Sequence, residues 1–457
     1  MNKKIFNKAL GYYDSSFFRM HVATSERIER IETLSDEAYA ILVHEYTHFI
    51  QDITTIHGLN NVFATIQYLK YASNMLYKTQ GEFVIPIIPD YVDVNDFVYF
   101  NTLIADISNG DFEQYDNAEI IDYRPQKLPI DDRCAIKEMT VTQLEVRIDD
   151  SYNLKYIFGA SCIYESMAYI MERNMAQFGV IESPDLPYCA AEKLVRLIYE
   201  EFAEDEMNIL AVCDLSLNCS NPGKVFVEII NEWKQKGTVP DDPRELYDDF
   251  YKREFELTEA TEFDKKVNTV NYLTHFEKYL KLVEKELYSY FRPTQLDSHD
   301  EFSYKMNLIN KWISEVFATA LKWRKKNPYF IIDIAEGGER YNNIAFISFY
   351  NEFGLPFCTN DSNDGCFYHP KFATNDLQLS YFSAVYQINN IFDGNLDICN
   401  LYCYCKKCER DESGEVTTDN RCSTPWIRCY DKKLCPVAAI WRHWKLSGYK
   451  PIIAKSF

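Results

Sequence analysis

The run Ile41-Leu42-Val43-His44-Glu45-Tyr46-Thr47-His48-Phe49-Ile50-Gln51-Asp52 contains His-Glu-x-x-His. On an α-helix, residues four apart lie on one face a turn apart, so His44 and His48 can aim two imidazoles at one ion. Neutral imidazole suits zinc, and the ion lowers the pKa of a bound water toward ~7. Glu45 follows the first histidine directly. Its carboxylate falls beside the metal, where it can take a proton from that water as general base. The bland alternative is two half-buried helix histidines and a surface glutamate. With eight histidines in the chain, chance gives this pattern roughly once per hundred such sequences.

A second chemistry lies in the tail. Cys399, Cys403, Cys405, Cys408, Cys422, Cys429 and Cys435 crowd together there. Cys405-x-x-Cys408 has zinc-knuckle spacing. Cys435-Pro436 precedes an apparent helix, whose N-terminal dipole favours a thiolate. These features predict a structural zinc site on Cys405, Cys408 and Cys435, with Cys422 or Cys429 as the fourth ligand. An iron–sulfur cluster or plain reduced packing cysteines are the rivals. Cys358 and Cys366, read as lying in a loop, could join either scheme.

The first motif needs a helix, and the sequence provides one. Ser35-Asp36-Glu37 offers an N-cap with acids in the first turn, and Ala38, Ile41, Leu42, Phe49 and Ile53 follow at helical spacing. His57-Gly58 reads as its C-terminal end, and a second helix is predicted over 61–77. The lead-in over 1–33 is read as having some helix around 25–31. Short strand-like runs punctuated by Pro, Gly and Asp follow from Gly81 to Ile148, including 83–85, 98–100 and 139–148. The last of these alternates well and could pair with an extended peptide, as edge strands do. A helix is predicted from near Gly159 to about Phe178. Residues 190–350 read as mainly helical, with candidates over 191–204, 225–236, 264–290 and 304–325. Residues 351–375 read as loop.

The run HEYTHFIQD resembles the active-site helix of zincin metallopeptidases. Zincins need a third protein ligand. The metzincin branch would place Gly at 51 and His at 54, and this chain has Gln51 and Thr54. His57 falls about 220° round the helix from His44 and faces away. Resemblance to the gluzincin branch implies a Glu on a later helix. Glu165, in Ser161-Cys162-Ile163-Tyr164-Glu165-Ser166-Met167-Ala168, is the best match, with small residues Ser161 and Ala168 allowing close helix contact. Glu172, on the same face, is the runner-up. The family also implies an electrophile facing the developing oxyanion. Tyr156 is a candidate, and His275, His299 and His369 stay open.

Composition bounds the rest. A 47% hydrophobic chain of 457 residues with 34 Tyr and 30 Phe can bury a large aromatic core. The formal net charge of −21 disfavours nucleic acid and anionic membranes in bulk. From Cys399 onward, eleven Lys/Arg against six Asp/Glu leave +5, so the remainder carries −26. No apolar run reaches the ~18 residues of a membrane span, and no secretory signal opens the chain. A cytoplasmic location with reduced or metal-bound thiols is expected.

Together these readings predict an α+β, mainly α protein in three regions. Residues 1–180 form a zincin-like catalytic unit with a β-rich insertion, 181–395 a helical region, and 396–457 a small Cys-rich, zinc-binding module. The expected activity is peptide-bond hydrolysis by zinc-activated water, with a protein or peptide as substrate and a second, structural zinc in the tail. A regulatory partner could act through the helical region or the basic tail. The alternatives are a binding module that keeps zinc as a structural clamp, and a regulatory or defence protease triggered by a partner.

Overall fold

The computed structural model describes residues 11–454, apart from 30, 78–80, 90–95, 131–136, 150, 177, 181, 261–264, 292–300, 341, 373–375, 412–417 and 432–433. The fold is α+β and mainly α. The chain opens with β1 (Gly11–Asp14) and β2 (Arg19–Val22), then α1 (Asp36–Thr54), α2 (Ile56–Leu76), β3 (Glu82–Ile85) and α3 (Asp96–Asn109). A meander of β4 (Ala118–Pro129), β5 (Glu138–Ile148) and β6 (Tyr152–Phe158) leads into α4 (Ala160–Met175) and α5 (Ala190–Ile198). The middle holds α6 (Glu206–Ser216), α7 (Pro222–Lys236), α8 (Arg244–Tyr251), hairpin strands β7 (Glu254–Ala260) and β8 (Lys265–Asn271), α9 (Tyr272–Phe291), α10 (Glu301–Lys326), α11 (Phe330–Glu336) and α12 (Ile344–Phe353). Then come β9 (Leu355–Asn360), β10 (Gly365–Tyr368), α13 (Asp376–Phe392), α14 (Tyr402–Asp411), α15 (Pro436–His443) and β11 (Lys450–Ile453).

Helix α1 forms where its signals place it. Ser35 Oγ accepts the Ala38 N–H at 3.3 Å, and Asp36 and Glu37 occupy the first turn, where the helix dipole favours acids. Its apolar surface is not a stripe, however. Residues from Tyr39 round to Thr54 are buried on every side except at His48, as in a helix at the centre of a large core. Thr55 ends α1 and starts α2 in one residue. Its Oγ1 donates to the Gln51 carbonyl at 2.7 Å and accepts the Gly58 N–H at 3.0 Å. A Cβ on Gly58 would stand 2.3 Å from that same carbonyl oxygen, so only glycine lets α2 turn back this tightly. His57 is therefore not a helix end. It lies fully buried in the first turn of α2, Nε2 facing Asn109 Oδ1 at 3.0 Å.

Four strands in the order β1-β2-β9-β10 form the sheet beside α1. β1 and β2 are antiparallel, and β2 runs parallel to β9 with Arg19 opposite Phe357 and Val22 opposite Asn360. The lead-in is thus a hairpin, and the segment read as loop supplies β9, buried along its whole length. Two further predictions give way. Residues 98–100 belong to helix α3, and β8 occupies the start of the helix expected over 264–290, which as α9 begins at Tyr272. β3 pairs in parallel with β11, so strand pairing links the N-terminal region to the middle region and to the tail. No helix among the described residues is long and apolar enough to cross a membrane.

Candidate metal centre

Helix α4 packs against α1 and brings a third ligand to the histidine pair. The ligand atoms of His44, His48 and Glu165 all lie within 4.8 Å of one another, the one such His/Cys/Asp/Glu group among the described residues. His44 Nε2 faces Glu165 Oε2 at 3.1 Å, and His48 Nε2 faces the same oxygen at 3.6 Å. Ala168 on α4 is fully buried, while Ser161 is half-buried.

The opposite ring nitrogens are already engaged. His44 Nδ1 donates to Glu172 Oε2 at 3.0 Å, and His48 Nδ1 donates to Gln51 Oε1 at 2.8 Å. Gln51 in turn donates through Nε2 to the Tyr164 carbonyl at 3.1 Å, tying α1 to α4 beside the site. Glu172 is thus an orienting partner of His44, about two turns beyond Glu165 on α4. Asp52 is turned elsewhere and accepts the Ser16 N–H at 2.7 Å. Two Nε2 atoms with their tautomers set from behind, plus a carboxylate oxygen, are a donor set that fits a tetrahedral divalent ion with one position left over. That set could hold a metal ion and does not by itself specify zinc.

The electrostatics are those of a cation site. Burial works against a charged His44, yet hydrogen bonds to Glu165 and Glu172 outweigh it and hold the imidazole well above its ordinary value. Burial would likewise raise Glu165, but the His48 and His44 rings pull its carboxyl well below the usual range. Glu45 is 6% exposed, and burial lifts its carboxyl to about 7 against the pull of both histidines. Gly11 of β1 lies on top of it. A Cβ there would meet Glu45 Oε1 at 2.8 Å and Ile41 Cγ2 at 2.7 Å. Among the described residues β1 is the open edge of its sheet, so an unpaired strand backbone runs alongside Glu45.

Other predicted residues fall elsewhere. Tyr156 is buried in β6 and its hydroxyl donates to the Glu113 carbonyl at 3.1 Å. A nearer phenol is Tyr188, whose ring centroid is 5.7 Å from that of His44. Burial and the surrounding Glu165, Glu45 and Glu172 carboxylates all oppose its ionisation, so it stands as a proton-bearing donor. Nothing in the sequence separates Tyr188 from the other tyrosines. His369 Nδ1 accepts the Lys371 N–H at 3.2 Å, His275 packs against Tyr279, and His299 lies outside the described residues. The strand ending at Ile148 is β5, paired on both sides by β4 and β6. It is a centre strand with no edge to offer a peptide.

In the tail, Cys399, Cys405, Cys422 and Cys435 line one small cavity. Cys429 is buried but does not line it. Cys408 belongs to α14, and its side chain lies outside the described ones. Cys358 and Cys366 sit directly opposite each other on β9 and β10 instead of in a loop. Comparison of the chain with protein-family models, curated proteins and solved structures finds no match in any of the three.

Proposed function

We propose that this chain is a zinc-dependent peptidase whose site is built on His44, His48 and Glu165, with Glu45 as general base. One observation carries the reading: a two-imidazole, one-carboxylate group lies beside a buried carboxylate that belongs to neither the ligand set nor, among the described residues, a salt bridge to Lys or Arg. A purely structural clamp has no use for such a residue. When bound, zinc would polarise a carbonyl and lower the pKa of a water toward ~7.

The chain's own groups do the rest. An extended peptide pairs with the edge of β1 that no described strand occupies, which sets its scissile bond beside Glu45. The Glu45 carboxylate takes a proton from the attacking water as its oxygen bonds to the carbonyl carbon. It then delivers that proton to the departing amine nitrogen as the C–N bond breaks. Tyr188 donates to the oxygen on which negative charge develops. Glu172 and Gln51 keep both imidazoles in the ligating tautomer.

The test is cleavage of a peptide library by the zinc-loaded chain and by Glu45→Gln. The amide keeps the shape but cannot accept the proton. Turnover should fall about 10²–10⁴-fold with zinc content unchanged. Equal rates would remove Glu45 from the chemistry. Absence of cleavage by the zinc-loaded wild type would overturn the peptidase reading.

A further inference from the structure

We propose a second metal site, in the tail, in which Cys399, Cys405, Cys422 and Cys435 hold one zinc ion beside the Arg428 guanidinium. The four cysteines come from separate local elements. Cys399 precedes α14, Cys405 lies in it, Cys422 sits in a 3-10 turn over Asn420–Ser423, and Cys435 is the N-cap of α15. All four line one cavity of about 20 Å³, space for roughly one water-sized body.

A buried cation contacts the cluster. Arg428, 2% exposed, donates through Nη1 to Cys422 Sγ at 3.2 Å. Arg428 also donates through Nε to Asp431 Oδ2 at 3.3 Å, and its Nη1 lies 3.8 Å from Asp419 Oδ1. Four thiolates around a divalent ion carry a residual negative charge, which Arg428 and the tail's +5 balance complement. Cys399 is pinned to the cluster by its N–H to the Cys422 carbonyl at 3.0 Å, and the side chain of Cys408, part of the set the knuckle spacing predicts, lies outside the described ones.

No three of these sulfurs lie within 4.8 Å of one another. A tetrahedral site with Zn–S of about 2.3 Å sets them about 3.8 Å apart. The ligand loops therefore draw inward by about an ångström or more as the ion binds, and the cavity is the space into which they move. Binding and ordering of the tail are one event.

The site is tested apart from the catalytic one. In full-length His44→Ala/His48→Ala protein, one zinc equivalent should remain, and its replacement by cobalt should give the strong absorption of thiolate-to-metal charge transfer. Adding Cys405→Ser and Cys435→Ser should remove both the metal and the absorption. Cys403→Ser, exposed and outside the cavity, should change neither. The cobalt spectrum needs no cysteine variant, so misfolding of the Ser variants does not confuse the result. A histidine variant that binds no metal, cobalt bound without thiolate absorption, a disulfide between these cysteines in freshly purified protein, or iron with acid-labile sulfide would each overturn the proposal. None of these outcomes bears on whether His44 and His48 serve a peptidase.

Discussion

Each imidazole at the site commits one nitrogen to the protein and leaves the other for a ligand. The Glu172 carboxylate and the Gln51 amide make that choice, so their loss should show in affinity before it shows in fold. Glu172→Ala and Gln51→Ala should each weaken zinc about 10–100-fold, read by competition with a chelator, while circular dichroism stays as in wild type. Unchanged affinity would reduce both contacts to packing. His44, Glu45 and His48 were legible in the sequence because a helix alone fixes what four-residue spacing brings together. Glu165 was legible only through a resemblance, since 117 residues separate it from His48 and no local rule spans that gap. The roles of Glu172 and Gln51 were not legible. They depend on which ring nitrogen points where, a matter of side-chain rotamers and of the exact rise of α4 along α1. Gln51 had served only to argue against one branch of ligand patterns, yet it holds His48.

The pairing of α1 with the hairpin strand β1 makes Gly11 a sensitive position. Gly11→Ala would push a methyl into Glu45 Oε1 and Cγ, at 2.8 and 2.9 Å, while leaving the three ligand side chains alone. Peptide turnover should drop at least about tenfold, the loss that 1.4 kcal/mol of misplacement produces, with one zinc still bound at the His44 site. Wild-type turnover would show that Glu45 can yield without consequence. The α1–α2 junction carries a pH signature through His57, whose burial pushes its pKa down to about 4. In the unfolded chain the same ring titrates near ~6.5. Below that value the unfolded state binds a proton that the folded state refuses. Stability is thus fully present above ~6.5 and is lost as pH falls toward about 4, by roughly 3 kcal/mol in all. Denaturant midpoints of wild type and His57→Gln should converge by about that amount between pH 7.5 and 4.5, and parallel curves would refute it. Helix signals were read well where caps and periodicity agreed, as at Ser35. The strands of the site's sheet escaped because β1 and β2 are four residues long and β9, with Pro356, Thr359 and Asn360, has the composition of a turn.

Across the whole molecule, one buried ion pair fastens the middle helices to the end of α1. Arg324 of α10 grips both oxygens of Asp214 of α6 at 2.7 and 2.8 Å, and its Nε donates to the Thr54 carbonyl at 2.8 Å. Both side chains have no exposure, and Tyr247 adds a hydrogen bond to Asp214. Arg324→Met would strand a carboxylate in the core and should cost about 3–5 kcal/mol, measured by chemical denaturation, whereas Arg324→Met with Asp214→Leu should recover much of it. Equal losses in the single and double variants would mean the pair is not coupled. Mainly helical content with a β-rich portion was legible from composition and periodicity, whereas the long-range pairings were not, because neither β2 nor β9 names its partner. The β2–β9 pairing reaches far: His21 bonds across it to Thr359, 338 residues on. A ribosome delivers chains N-terminal end first. The His-Glu-x-x-His segment therefore leaves the exit tunnel well before Asn360, and the sheet that presses β1 and Gly11 onto Glu45 cannot close until Asn360 has followed. The nascent polypeptide thus carries His44, Glu45 and His48 before the strand that sets Gly11 against Glu45 can be held in place, so under the proposed peptidase function the order of translation itself delays cutting.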